Sequence, residues 1–196
     1  MFCSKTATFN GGCCFMRRKN ITSELMMEYI ADALLLLMKH KNFNDITIGE
    51  ITKKAGVNRS TYYRHFSTKE SIIKFYFSSI MNRYKLNFQN LKHKTFETYI
   101  KTMFDTFYKE KDKLLLIHKS NLSSYLLPIL IENFNTDNIS KINQFRISYH
   151  IGGINNCMLL WFSHNMQETP NKMLNIVMKQ NIDKSNSLFN SLTHGS

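Results

Sequence analysis

An all-α fold is what the sequence predicts, on three observations. Glycine and proline are scarce, 7 and 2 in 196 residues, whereas Leu, Ile, Met, Lys and Phe are plentiful. Apolar residues recur at three- and four-residue steps along most of the chain. Short polar breaks carrying Asn, Asp, Ser, Thr or Gly separate these stretches, as helix caps and terminators do. With 43% hydrophobic residues the chain can bury a sizeable core, which argues against intrinsic disorder.

Taken in order, residues 1–20 read as a disordered, basic tail. Residues 1–15 hold one Lys and no apolar h-region, so they make a poor signal peptide, and Met16, followed by Arg17, Arg18 and Lys19, is a candidate start. Leu25, Met26, Tyr29, Ile30, Ala33, Leu34, Leu37 and Met38 then predict an amphipathic helix over 23–40. Asn42, Asn44 and Asp45 break it. Thr47, with Glu50 three residues on, forms a capping box for a helix ending at Ala55, and Gly56 terminates it. Asn58 caps a second short helix, Arg59 to Phe66. Ser67 with Glu70 reads as the next capping box, opening a long helix from Thr68 to about Leu91.

The remainder reads as helices over roughly 95–109, 111–119, 122–134, 139–166 and 170–190, with Asp112, Asn121 and Pro170 near their starts. There is no internal repeat and no long linker. The chain divides into the tail, a helix-turn-helix region at 21–68 and a helical regulatory and dimerisation region at 69–192, the last two packing on one another.

Charge is distributed unevenly. Residues 1–94 hold 16 Lys/Arg against 6 Asp/Glu and residues 95–196 hold 10 against 8, so +10 of the net +12 lies in the first half. A localised basic region is the electrostatic footprint of phosphate binding, although a basic surface also serves solubility. Cys3, Cys13 and Cys14 crowd the tail and Cys157 stands alone in an apolar helix. That is neither a disulfide framework nor a metal-ligand spacing, and it fits a reducing cytoplasm. No apolar run approaches the roughly 20 residues of a membrane span.

Function concentrates in residues 46–70, ITIGEITKKAGVNRSTYYRHFSTKE. Two short helices around the tight turn Gly56-Val57-Asn58 form a helix-turn-helix, whose second helix enters the DNA major groove. Tyr62 and Phe66, four apart, share a face that packs on Ile48, Ile51 and Ala55. The other face and the N-terminal end carry Arg59, Ser60, Thr61, Tyr63, Arg64 and His65, able to donate to phosphates and base edges. Thr47 joins this DNA-binding set. So does Lys69, at a helix start where the dipole favours an anion. Lys53 and Lys54 supply general positive potential.

This stretch resembles the DNA-binding domain of the TetR family of transcriptional regulators, from about Leu25 to Tyr76. The resemblance rests on Ala55-Gly56-Val57, on the aromatic pair ending at Tyr63, and on His65, Phe66, Ser67, Lys69 and Glu70. It implies that Tyr63 and His65 touch phosphates, that Lys69 anchors the DNA backbone, and that Arg59, Ser60, Thr61 and Arg64 face the groove. The implied fold is TetR-like, a three-helix helix-turn-helix domain followed by a helical ligand-binding and dimerisation domain.

The segment 145–178, with Tyr149, Gly152-Gly153, an apolar run through Trp161 and then Glu168-Thr169-Pro170, is more loosely similar to the C-terminal half of TetR-type regulators related to the dihydroxyacetone kinase gene activator. That likeness implies a homodimer built from the last two long helices, with Ile154, Met158, Trp161, Met173, Val177 and Leu188 at the interface. These same residues could instead fill the core of one subunit. Family members hold a small ligand in this half. Phe104, Phe107, Tyr108, His118, Tyr125, Phe145 and Tyr149 are the candidate lining, being aromatic or apolar with a few polar tips.

The expectation is therefore a ligand-responsive, cytoplasmic, homodimeric repressor of a palindromic operator, with an unknown small-molecule effector and no cofactor, metal or membrane partner. A co-activator working through a protein partner is the alternative. An enzyme is disfavoured, since there is no Gly-rich phosphate loop, GxSxG elbow, HExxH or Cys/His pair with an orienting group. A basic membrane-surface helix is disfavoured because the first amphipathic helix carries Glu24, Glu28 and Asp32.

Overall fold

The computed structural model describes residues 12–133 and 140–180. Among them every regular element is helical: α1 Gly12–Met38, α2 Ile48–Ala55, α3 Arg59–His65, α4 Lys69–Gln89, α5 Phe96–Tyr108, α6 Lys111–Lys119, α7 Leu126–Glu132, α8 Lys141–Ser163 and α9 Pro170–Gln180. Short 3-10 turns at Phe43–Asp45 and Ser123–Tyr125 precede α2 and α7.

Local chemistry accounts for most boundaries. Thr47 accepts the amide of Glu50 and the Glu50 carboxylate accepts the amide of Thr47, a closed capping box at the start of α2. Gly56, at φ 69°, ends α2 in the left-handed region, where a Cβ would be strained. Thr95 caps α5 through the amide of Thr98. At the far end of α8 the chain turns through Asn165 and Met166, both at positive φ, and the Met166 amide closes the turn on the Trp161 carbonyl at 2.8 Å.

Two boundaries differ from expectation. α1 begins at Gly12, inside the segment read as a disordered tail to residue 20, and residues 1–11 lie outside the described chain. Apolar periodicity marks the stretch of a helix that packs, and in α1 the buried residues Ile30, Ala31, Ala33, Leu34, Leu35 and Met38, with Met27 packed against the core, fall within the periodic stretch. The cap of α4 is Thr68 rather than Ser67: its hydroxyl accepts the amide of Ser71, which closes the box in place of Glu70. One residue shifts the register because serine, like glutamate, can reach back to the cap amide. The last helix is described to Gln180, so the expected extension to 190 lies outside the described residues.

One continuous core joins the two regions. α1 packs on α2, α4 and α6, while α4 continues onto α5 and α7, α5 onto α9, and α8 onto α6 and α7. α4 thus belongs to both halves. At its N-terminal end Ile72 and Ile73 are buried, and further along Tyr76, Phe77, Ile80, Met81 and Tyr84 are buried as well. In the second half Trp161 lies buried, stacked on Tyr108 at 5.8 Å and edge-on to Phe104 at 5.5 Å, with its indole N–H donating to the Glu168 carbonyl at 3.1 Å.

The residues expected at a dimer interface are core residues of the single chain. Ile154, Met158, Trp161, Met173 and Val177 are all buried, and Leu188 lies outside the described residues. Burying each helix against its own neighbours satisfies the same periodicity as burying it against a second copy, so sequence alone could not separate the two. What α8 leaves uncovered is a different stripe, Ile142, Phe145, Tyr149 and Leu160, each 59–79% exposed.

Candidate nucleic-acid interface

The recognition unit is built around Asn58. Its side-chain oxygen accepts the Thr61 amide at 2.8 Å, the Thr61 hydroxyl at 2.8 Å and the Ser60 hydroxyl at 2.7 Å. One residue therefore fixes the first turn of α3 and orients both hydroxyls behind it. Tyr62 and Phe66 anchor the helix from beneath, buried, with rings 6.2 Å apart, and Phe75 from α4 meets Phe66 edge-on at 5.7 Å. On the opposite side Tyr63 is 59% exposed and Arg59, Ser60 and Arg64 are exposed, while Thr61 and His65 are half-buried.

The two-sided helix expected from the sequence is thus present. Arg59 lies across the entry of α2. A Cβ built on Gly49 would stand 3.2 Å from its guanidinium Nη2, so the missing side chain at Gly49 lets the arginine tip approach α2 closely. Glu50 sits at the same end with its carboxyl held down at about 2, because the Lys41 ammonium donates to it at 2.9 and 3.1 Å and the amide and hydroxyl of Thr47 each donate at 2.8 Å. Lys41 pairs with this carboxylate at 2.9 Å.

Two residues of the expected DNA-binding set are already engaged within the chain. Thr47 closes the α2 capping box with both lone pair and proton. Lys69 points inward: its ammonium donates to the carbonyls of Phe43, Asn44 and Ile46 at 2.7, 3.1 and 2.7 Å. A helix start suits an anion, but here the ammonium bonds carbonyls in and just after the 3-10 turn.

Sequence reasoning missed the links between this unit and the rest. Tyr76 on α4 donates to Glu110 at 2.7 Å and Arg83 donates to the same carboxylate at 3.0 Å, tying α4 to the turn between α5 and α6. Lys113 on α6 pairs with Asp32 on α1 at 2.8 Å. These partners are 27 to 81 positions apart, beyond the reach of any local pattern. Between α1 and α6 lies a cleft of about 540 Å³, lined by Leu35, Leu36, Tyr108, Lys111 and Leu116 among others.

The seven residues expected to line a ligand site do not converge on one cavity. Phe104 and Phe107 are buried in the core, and His118 bonds Ser123 at 3.1 Å. Tyr108 lines the α1–α6 cleft, and Tyr125 lies under the Lys74 ammonium at 5.4 Å. Phe145 and Tyr149 are 78% and 79% exposed on α8, Tyr149 at the edge of a second cleft of about 420 Å³ beside Phe96 and His150. Burial pushes the His150 imidazole pKa down. Aromatic content does not distinguish a core ring from a pocket or a surface ring, and here Phe104 and Phe107 serve the core.

Residues 30–74 match the family model described as bacterial regulatory proteins, tetR family. This interval runs from Ile30 in α1 through α2 and α3 to the first turns of α4, and contains the Asn58 cap, Arg59, Tyr62, Tyr63, Phe66 and Lys69. The fold is similar to that of a solved TetR transcriptional regulator from Streptococcus agalactiae 2603V, at 19% identity and a TM-score of 0.50, covering 84% of this chain and 98% of that one. No curated protein matches the sequence significantly. Residues 30–74 thus form a domain similar to the DNA-binding domain of TetR-type regulators, set in a fold that is helical throughout its described residues and similar to that of a solved TetR regulator.

Proposed function

We propose that the protein is a homodimeric, ligand-responsive repressor that binds a palindromic operator through α3. The observation that carries this reading is the split character of that helix. Tyr62 and Phe66 fix it to the core while Arg59, Tyr63 and Arg64 stand free on the surface, with His65 at its C-terminal end. Exposed side chains held by a rigid scaffold suit base edges and phosphates. In this reading Ser60 and Thr61 act first as the cap and reach DNA only through their remaining lone pairs.

A palindromic operator requires two recognition helices about one DNA turn apart, hence two chains. The exposed stripe Ile142, Phe145, Tyr149 and Leu160 on α8 is the face offered for pairing, on the same helix as Gly152 and Gly153. An effector that favours a form with altered helix spacing would lower operator affinity, and operator would lower effector affinity by the same factor. The hydrogen-bonded group Tyr76, Arg83 and Glu110 supports this coupling, since α4 carries it from the DNA-binding region into the regulatory half. Among the described residues no single helix is long and apolar enough to cross a membrane. With Cys157 unpaired, we place the protein in the cytoplasm.

The test is gel-shift titration of the protein against the DNA upstream of its own coding sequence, with reporter expression from that DNA. Two-to-one binding with lowered expression supports repression. Activation of the reporter, or binding by a single chain, would require a different mechanism.

A further inference from the structure

Three carbonyl oxygens, those of Phe43, Asn44 and Ile46, converge on the ammonium of Lys69 at 2.7, 3.1 and 2.7 Å. An ammonium has three N–H donors, and the three carbonyls take all of them. The same nitrogen lies 4.8 Å from the centroid of the Phe43 ring, within cation–π range. Phe43 and Ile46 are buried side chains, 6% and 2% exposed, so the turn that bears these carbonyls is held on its other side by the core.

From this geometry we infer that Lys69 is a positioning residue for the helix-turn-helix rather than a phosphate contact. The turn Phe43–Asp45 is the only covalent path from α1 to α2, and Ile46 is followed directly by Thr47, the cap of α2. Lys69 is the first residue of α4, the helix shared with the regulatory half. Its ammonium therefore pins the start of α4 to the start of α2 across 23 to 26 residues of sequence. The Phe43 carbonyl shows the demand on this turn: it accepts the Ile46 amide at 3.3 Å as well as the ammonium. A phosphate oxygen could recruit Lys69 only by detaching it from one of these oxygens. Movement at the head of α4 is transmitted to α2 through this internal cation, so the residue acts on DNA binding through the placement of α2 and α3.

The DNA part of this inference rests on the DNA-binding reading, and the test separates the two. Lys69→Met keeps most of the stem and removes the charge. Lys69→Arg keeps the charge, and phosphates accept guanidinium well, but a planar fork cannot direct three N–H groups at one point. Full-length wild type and both variants are compared by amide hydrogen exchange, and by affinity for the upstream duplex over a range of salt. The expected result is faster exchange at residues 43–47 in both variants, and an affinity loss of at least tenfold that arginine does not restore. The slope of log affinity against log salt should stay that of the wild type.

A phosphate contact gives the opposite pattern. Exchange is then unchanged, arginine restores affinity, and the methionine slope flattens by about 0.9 per protomer, the value for one lost phosphate neutralisation on duplex DNA. Either unchanged exchange or that flattened slope overturns the inference. If the wild type fails to bind the duplex, the proposed function fails while hydrogen exchange still decides whether the clasp exists.

Discussion

Tyr62 and Tyr63, adjacent on α3, face opposite ways: Tyr62 is fully buried, Tyr63 is 59% exposed, and their rings meet edge to face at 5.3 Å. Consecutive residues on a helix project about 100° apart, so one side chain can enter the core while the next stands clear of it. Here that difference separates the residue that holds the helix from the one that meets DNA in the proposed function.

Replacing the two tyrosines should therefore have different consequences. Tyr62→Ala is expected to lower stability by about 3–5 kcal/mol, the usual range for deleting a buried aromatic side chain. Tyr63→Ala should change stability by no more than about 0.5 kcal/mol, as surface substitutions do, and lower DNA affinity. Burial holds the Tyr62 phenol up at about 12, and its hydroxyl has no hydrogen-bond partner among the described residues. Tyr62→Phe should accordingly be at least as stable as the wild type. Urea denaturation of the three variants checks the set, and a Tyr62→Ala protein as stable as Tyr63→Ala would refute the assignment of faces.

Asn58→Ala removes the acceptor shared by Ser60 and Thr61. Loss of an N-cap of this kind lowers stability by about 1 kcal/mol. The DNA effect should exceed the stability effect, because both hydroxyls lose their orientation along with the first turn. Asn58→Asp keeps the acceptor and should retain stability. Thermal unfolding and DNA titration of the two variants give the comparison.

The clamp on Glu50 predicts a pH dependence with a definite sign. Its folded-state carboxyl titrates at about 2, below the ordinary 4.5, mainly because of the Lys41 hydrogen bond and then those from Thr47. A carboxyl lowered on folding contributes stability that is complete above about 4.5 and is lost as pH falls toward 2. Glu50→Gln should then be less stable than the wild type at neutral pH, with the difference shrinking across that window. A difference that stays constant from neutral to acid pH would show that the carboxylate charge is not what the clamp uses.

On α8 the buried and exposed stripes predict separable effects. Met158→Ala should destabilise the chain by about 2–5 kcal/mol, since Met158 is fully buried. Tyr149→Glu with Leu160→Glu should leave the fold intact, because both are exposed, and convert a dimer to monomers. Analytical ultracentrifugation of the double variant reads this directly. A dimer that survives both charges uses some other surface.

The sequence made some of this plain for physical reasons that are local. The α2 capping box, the Gly56 terminator, the Asn58 cap and the buried pair Tyr62 and Phe66 all lie within four residues of their partners, where helix geometry decides who meets whom. What it concealed was long-range. The carbonyls that Lys69 bonds were hidden because they belong to a segment more than 20 residues earlier. Trp161 looked like an interface residue because an apolar stripe does not reveal whether its cover is Tyr108 and Phe104 or a second copy. The exposed stripe on α8, with Phe145 and Tyr149, contained residues assigned to a ligand pocket for the same reason.

Whether α3 reads DNA is decided by binding of the purified protein to the duplex upstream of its own coding sequence, at two salt concentrations, beside an Arg59→Ala, Tyr63→Ala double variant. Both side chains stand on the exposed face of α3, so the variant should fold as the wild type does. Tight, salt-sensitive binding by the wild type is expected, with a loss of at least tenfold in the variant. Equal affinity of a folded variant and the wild type would mean that α3 is not the surface that reads DNA.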